Sequence, residues 1–177
     1  MSGQKSFFLN LKLTTSNTKV SPILDTQRMS AFVISNRLNN PNVSNTPDFV
    51  DDIASTGSST AAVYLTKPVV LENSSTSLDV RLTSNIRSSS VVRVYHRALG
   101  PEDERKITDL SWTPFNTDGS EDTAITPAEN DTTFREYKYS VAGLNQFTSF
   151  QIKIVMKGSI SSYPPIVRDM RTIALAV

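Results

Sequence analysis

The chain of 177 residues contains no cysteine, a single histidine and only six glycines. Without cysteine it has no disulfide, no thiolate metal ligand and no cysteine nucleophile. One histidine excludes a His-rich metal site and any mechanism that needs paired histidines. The sequence also lacks a Gly-x-Ser-x-Gly nucleophile turn and a glycine-rich loop that cradles phosphate. These absences remove most of the common catalytic designs.

An excess of charge of one sign and long apolar runs are missing too. The 18 basic and 17 acidic residues leave a net charge of +1, so no bulk field draws the chain to nucleic acid or to an anionic membrane. No apolar run approaches the roughly 20 residues of a membrane-spanning helix, and the first eight residues lack the apolar core of a signal peptide. We therefore expect neither nucleic acid nor a membrane as a partner.

The sequence does contain strand patterns, and the clearest of them covers residues 147–156. Apolar side chains stand at every second position from Phe150 to Met156, with polar residues between them except at Val155. This period predicts a strand with one face in a core and the other mostly toward water. A Gly/Ser/Pro segment and a second β-rich run, residues 166–174, follow. We expect the two runs to form the hairpin that closes the core.

Further runs rich in β-branched and aromatic residues are separated by polar turns. They cover residues 6–14, 29–35, 61–71 (interrupted at Lys67 and Pro68), 78–82, 91–98 and 135–141, with a short segment at Trp112 and Phe115. No helical period is sustained, and residues 46–53 predict one helical turn at most. The pattern predicts an all-β protein, an antiparallel β-sandwich or jelly roll of about eight to ten strands with long polar loops.

The expected domain organisation is a single β-sandwich over residues 1–177. At this length one domain is the default, and a sizeable core can be buried. Residues 1–5 are interpreted as a flexible N-terminal arm, and residues 39–59 as a long loop or arm that orders on assembly.

A set of motifs in a fixed order carries a family resemblance. They are VSPILD (20–25), SNRLNNP (35–41), AVYLTKPVVL (62–71), LDVRL (78–82), VRVYHR (92–97), Trp112, FQIKIVM (150–156) and PPIVRDMRTIA (164–174). The set resembles a β-sandwich domain of structural proteins of T4-like tailed phages, especially the large virion proteins of marine cyanophages. The resemblance spans most of the chain from Ser6 onward. It implies a mechanical role in a tail, baseplate or fibre attachment of a virion assembled in the host cytoplasm, and it brings no catalytic residues.

The residues that could carry chemistry favour structural interpretations. His96 lies inside a strand pattern, so we expect it to pack or pair rather than to catalyse. Residues 116–122 (NTDGSED) alternate oxygen ligands as a calcium loop would, but the glycine is misplaced for an EF-hand, which favours a solvated Asp-Gly turn. The acidic pairs at 51–52 and 102–104 are typical of solvated charge rather than of a glycosidase site. We predict no catalytic, cofactor-binding or metal-binding residue.

Arginine and tyrosine side chains give the candidate contact surface. Arg81 and Arg93 are expected on neighbouring strands, where they could line one outward face together with Tyr95. With Arg97 and Tyr163 they form a candidate surface for another subunit or for a glycan.

The last strand pattern contains two more arginines, Arg168 and Arg171. They share no period-2 face, so both can point outward only if the strand has a bulge near residues 170–172.

The function expected from the sequence is that of a non-enzymatic virion structural protein. It would build a tail, a baseplate or a fibre attachment through contacts with other virion subunits, as a homo- or hetero-oligomer. The alternative is a carbohydrate- or receptor-binding β-sandwich, with Trp112, Tyr95 and Tyr163 as candidate aromatic platforms. We favour Trp112 as a core residue, and an enzyme would need a polar cluster that the sequence does not show.

Overall fold

A computed structural model describes residues 10–16, 23–25, 27, 38, 51–56, 60, 62–160 and 163–176. The chain divides into residues 1–35 and residues 36–177, and each part is considered by itself. In the first part, residues 10–16 are exposed and form no strand, so the strand predicted over residues 6–14 is wrong for residues 10–14. The single domain over residues 1–177 stays a prediction.

The second part is all-β. Its described strands are β1 (Val63–Leu65), β2 (Val69–Ser75), β3 (Ser77–Asn85), β4 (Ser90–Leu99), β5 (Thr113–Pro114), β6 (Arg135–Val141), β7 (Phe147–Gly158) and β8 (Ile166–Leu175). Short 3-10 helices cover Asp51–Ile53 and Ile107–Asp109. The predicted interruption at Lys67 and Pro68 separates β1 from β2, because proline cannot donate to a ladder. No helix of the described residues is long and apolar enough to cross a membrane.

The strands form two antiparallel sheets, which confirms the predicted β-sandwich. In sheet A, β7 lies between β4 and the pair β1 and β2, and β5 lies beyond β4; sheet B has the order β6-β3-β8. The core between the sheets takes alternate residues of the long strands. Its fully buried members are Leu78, Val80, Leu82, Val92, Val94, Phe115, Tyr137, Tyr139, Phe147, Phe150, Ile152 and Ile154.

Successive long strands cross between the sheets, and this corrects one prediction. The strands β7 and β8 do not form a hairpin, because β7 pairs with β4 in sheet A while β8 pairs with β3 in sheet B. A two-residue turn would have kept them side by side in one sheet. Residues 159–165, with Pro164 and Pro165, connect the two sheets instead.

Strand β7 is buried on both faces, which corrects another prediction. Gln151 and Lys153, expected to face water, are buried, and so is Lys157 further along the same face. Asp52 and Trp112 lie over this second face. Val155, the one apolar residue among the polar positions, was the sequence signal for this cover.

Part of the remaining predictions falls outside the described residues. These are the arm at residues 1–5, the strand at residues 29–35 and most of the loop at residues 39–59. Within that loop the helical turn predicted over residues 46–53 is present at Asp51–Ile53 as a 3-10 helix.

Candidate functional site

The outer face of sheet A carries a group of buried polar and aromatic side chains, here called the buried polar layer. Its members are Asp52, Tyr95, Arg97, Trp112, Gln151, Lys153 and Lys157. The register of the two central strands builds it, because Tyr95 of β4 stands opposite Lys153 of β7 and Arg97 stands opposite Gln151. These pairs point away from the main core toward residues 51–56.

Asp52 lies at the centre of the buried polar layer. Its Oδ2 is 3.2 Å from the Nζ of Lys157, and its Oδ1 accepts a hydrogen bond of 3.1 Å from the Thr60 hydroxyl. Lys153 Nζ donates to the backbone carbonyl of Asp52. Since the side chains of Asp52, Lys153 and Lys157 have no exposed surface, leaving any of them unpaired would be costly. The cluster therefore holds the Asp51–Ile53 helix on the sheet.

Aromatic rings complete the surroundings of the buried lysine. The Nζ of Lys153 is 4.8 Å from the ring centroid of Trp112 and 5.1 Å from that of Tyr95. Desolvation lowers the pKa of Lys153 to about 8, against the opposing effect of the Asp52 carboxylate. A lysine with a lowered pKa is a potential nucleophile, but the side chain of Lys153 has no exposed surface. The geometry favours a structural role.

Arg97 binds several segments together. It donates two hydrogen bonds to Oε1 of Gln151, of 2.9 and 2.6 Å, and others to the carbonyl oxygens of Thr108 and Leu110. Its guanidinium carbon is 4.2 Å from the centroid of the Trp112 ring. These contacts fix the segment that contains the Ile107–Asp109 helix against β4 and β7.

The candidate contact surface predicted from the sequence is not one surface. Arg81 lies in sheet B and Arg93 in sheet A, so the expected common face is wrong; β3 and β4 are consecutive in the chain but belong to different sheets. Tyr95 and Arg97 are only 1% and 6% exposed. Burial, the largest cause, raises the pKa of Tyr95, and Asp52 acts in the same direction.

Arg93 and Tyr163 remain accessible in part. An Nη of Arg93 is 3.2 Å from the Asp118 carboxylate. Tyr163 is 43% exposed, and the guanidinium of Arg87 lies 4.4 Å from the centre of its ring. The side chain of Arg81 is 38% exposed and that of Arg93 only 19%. Of the predicted set, Tyr163 and Arg81 are therefore the residues most accessible to a partner.

His96 packs in the interior, as predicted. Its ring meets Phe115 edge to face with 4.8 Å between centroids. Desolvation lowers the pKa of His96 to about 4, so the imidazole is neutral near pH 7. It lies on the inner face of β4 beside Ile152, within the hydrophobic core.

The loop at residues 116–122 is organised by internal bonds. Asp122 accepts hydrogen bonds of 2.9 and 2.6 Å from the backbone and hydroxyl of Ser140, and Asp118 pairs with Arg93. Gly119 has a φ of +85° and its carbonyl accepts a bond from the Val94 amide. Within the described ranges, no group of three or more histidine and acidic side chains is placed to hold a metal. The geometry is that of an Asp-Gly turn, as interpreted.

The outer face of sheet B, here called the charged face, carries charged side chains whose sign alternates along each strand, so that Arg81 stands directly opposite Lys138 and Arg171 and the ion pairs are diagonal or within a strand. Its members are Asp79, Arg81, Glu136, Lys138, Asp169 and Arg171, and they form ion pairs across the three strands. All are at least partly exposed, so each pair contributes less than about 1 kcal/mol. The face is a solvated surface of mixed sign.

Exposed apolar side chains lie on β1 and β2 of sheet A and on β8 of sheet B, a region here called the apolar side. This apolar side has as its exposed members Tyr64, Leu65, Val69, Val70, Ile166, Ile173 and Leu175. The strands β1 and β8 border an open groove of about 370 Å³, whose floor includes Ile154 and Met156. Val70 is 79% exposed, which is unusual for a valine in a strand.

A polar depression of about 490 Å³ lies at one end of sheet A. Its lining includes His96, Asp103, Arg105, Asn145 and Gln146. Asp103 and Arg105 bind each other through two hydrogen bonds of 2.9 and 2.6 Å. With a neutral histidine and an acid already paired, the depression lacks a proton-transfer pair.

The arrangement described above is thus a β-sandwich with a sealed ionic cluster, a charged face and an apolar side. Comparison with known proteins adds no relative: the chain matches no protein-family model, no curated protein and no solved structure.

Proposed function

We propose that this protein is a non-enzymatic structural subunit that assembles through its strand edges. The observation that supports the proposal is the apolar side, where edge strands of both sheets expose large apolar residues and one of these, Tyr64, borders the groove between β1 and β8. Exposed apolar patches of this kind typically mark interaction surfaces. Edge strands also present unpaired backbone groups that can bind another chain.

The polar clusters support a structural role over an enzymatic one. In the buried polar layer Asp52 is bonded to Lys157 and Thr60, and its charges are sealed from solvent. The one histidine is neutral and packed on Phe115. Asp52 and His96 are therefore both engaged in holding the fold.

The proposal that the subunit belongs to the virion of a tailed phage rests on the sequence resemblance. A subunit of a tail, baseplate or fibre attachment meets its neighbours through large fixed interfaces, and the apolar side suits such contacts. The partners are then other virion subunits, identical or different.

The carbohydrate-binding alternative has less support. Of its three aromatic platforms, Tyr95 and Trp112 are buried against charged side chains, and a sugar cannot stack on them. Tyr163 remains exposed but lies against Arg87. We therefore advance the assembly role alone.

Mass spectrometry of gradient-purified particles from the virus that encodes this chain tests the proposal. We expect the chain to be present in a constant ratio to the other structural proteins across the particle peak. A replication protein of the same virus serves as the control for carried-over lysate. Abundance in the infected lysate together with absence from the particles would overturn the proposed function.

A further inference from the structure

Among the described residues, β8 is an edge strand of sheet B. On one side the strand pairs with β3 from Ile166 to Leu175. On the other side, no strand in the part of the chain that the structure describes is paired with it. A ten-residue edge with free backbone donors and acceptors can accept a further antiparallel strand.

A bulge in β8 determines which side chains stand on its outer face. Asp169 is opposite Thr83 and Val167 is opposite Ser84, so Arg168 is the additional residue. A bulge is thus present, at Arg168 and not at residues 170–172, where two outward arginines would have required one. Arg168 turns onto the ring of Phe134, with 3.7 Å between its guanidinium carbon and the ring centre.

With the bulge at Arg168, the outer face of β8 reads Ile166, Asp169, Arg171, Ile173 and then Leu175, and the four residues from Ile166 to Ile173 form the series considered for pairing. Ile166 and Ile173 are 41% and 44% exposed. The side chains of Asp169 and Arg171 are each more than half exposed. The series is self-complementary. Read in the opposite direction, it places an isoleucine opposite an isoleucine and an arginine opposite an aspartate.

The charges select one register for two antiparallel copies of β8. A two-fold axis at Met170 sets Asp169 of each copy opposite Arg171 of the other, and Ile166 opposite Ile173. An axis at Asp169 or at Arg171 would place like charges opposite each other. An axis at Thr172 would leave both charges opposite apolar residues, and directly opposed side chains decide such pairings.

We propose that two copies of this chain pair through β8 in the Met170 register and join their three-stranded sheets B into one six-stranded sheet. The proposal rests on the proposed function, because it names the first partner as a second copy of the chain. It is an isologous two-fold contact, the commonest type in homo-oligomers. The two Asp169–Arg171 pairs fix the register, and the two isoleucine pairs bury apolar surface.

Single cysteines test the register, since the natural chain has none. In Met170→Cys the two thiols are opposite each other with Cα atoms about 5 Å apart, within reach of a disulfide. In the control Ile173→Cys the two thiols are roughly 20 Å apart along the strands. We expect a disulfide-linked dimer from Met170→Cys alone under mild oxidation. Equal cross-linking of both variants, or of neither, would overturn the proposal.

Charge reversal tests the pairing by sedimentation equilibrium. Asp169→Arg and Arg171→Asp each create two like-charged pairs, so we expect a dimer Kd weaker by on the order of tenfold. Combining the two reversals restores opposite charges, and we expect the Kd within roughly threefold of the natural chain. Glu102→Arg, in an exposed loop, is the matched control and should leave the Kd unchanged.

Thermal unfolding shows whether each charge-reversal variant is folded. If a variant is unfolded, the cross-linking of Met170→Cys and Ile173→Cys tests the register in its place. A dimer Kd that is the same in the natural chain and in all the charge-reversal variants would overturn the β8 contact and leave the proposed function intact. A chain that is monomeric at every concentration also overturns it. The proposed function is judged separately, by the content of the purified particles.

Discussion

At the scale of single residues, the buried polar layer is the feature that the sequence conceals. Asp52 stands about a hundred positions before Lys153 in the chain, and sequence spacing cannot show that the two meet. Asp51 and Asp52 were interpreted as solvated charge, yet Asp52 is fully buried. A buried carboxylate beside two buried lysines places three charges where the dielectric constant is low. The loss of one partner therefore leaves an uncompensated buried charge, which destabilises the fold.

Replacement of Asp52 should therefore be far more costly than replacement of a surface acid. We expect Asp52→Ala to lower the free energy of unfolding by about 3–5 kcal/mol, because two buried lysines lose their counter-charge. The matched control, Glu136→Ala, breaks exposed pairs with Arg81 and Arg171 and should cost less than about 1 kcal/mol. Urea denaturation measures both, and equal losses would contradict the burial of the cluster.

His96 gives the second test at this scale, through the pH dependence of stability. Its pKa is lowered to about 4 in the folded protein, whereas an unfolded histidine has a pKa near 6.5. Between these values the unfolded chain binds the proton and the folded protein does not, so stability falls as the pH drops. Because the chain has one histidine, His96→Gln removes the whole contribution.

We expect the natural chain to lose on the order of 3 kcal/mol more than His96→Gln between about pH 7 and pH 4. Urea unfolding at a series of pH values gives both curves. The carboxylates titrate equally in the two proteins, so the difference isolates the imidazole. Parallel curves would show that His96 reaches solvent in the folded state.

At the scale of elements, the alternation of side chains predicted where strands lie better than how they pair. The strand at residues 135–141 has the predicted bounds, and the patterns at 78–82 and 91–98 lie within β3 and β4. Alternation reports which residues share a face, and it is the same whether the next strand joins this sheet or the opposite one. For this reason the predicted hairpin of β7 and β8 is wrong, and so is the predicted common outward face of Arg81 and Arg93.

Strand β7 provides the test at the element scale, since its adjacent residues face two different cores. Ile154 lies in the main core and Val155 lies against Tyr95 and Trp112. We expect Ile154→Ala to cost about 2–5 kcal/mol and Val155→Ala on the order of 2 kcal/mol, from lost burial and the cavity left behind. The matched control is Val70→Ala, at an exposed strand position, which should cost less than about 0.5 kcal/mol. A cost for Val155→Ala that equals the control would show that this face is open to water.

At the scale of the whole molecule, the charged face and the apolar side meet on strand β8, where Asp169 and Arg171 stand between Ile166 and Ile173. The charged face has ion pairs across β6, β3 and β8, while the apolar side follows the edges at β1, β2 and β8. The fold class followed from the sequence because strand periodicity and turn residues are local. The candidate site did not, because exposure depends on which sheet each strand joins and on what covers it.

Electron cryo-microscopy of the intact particle tests the proposed role of the protein as a building block that joins its neighbours through the apolar side. We expect density for this β-sandwich with the edges at residues 64–70 and 166–175 in contact with other subunits. A particle that contains the sandwich with both of these edges facing solvent, or that contains no such density, would contradict it.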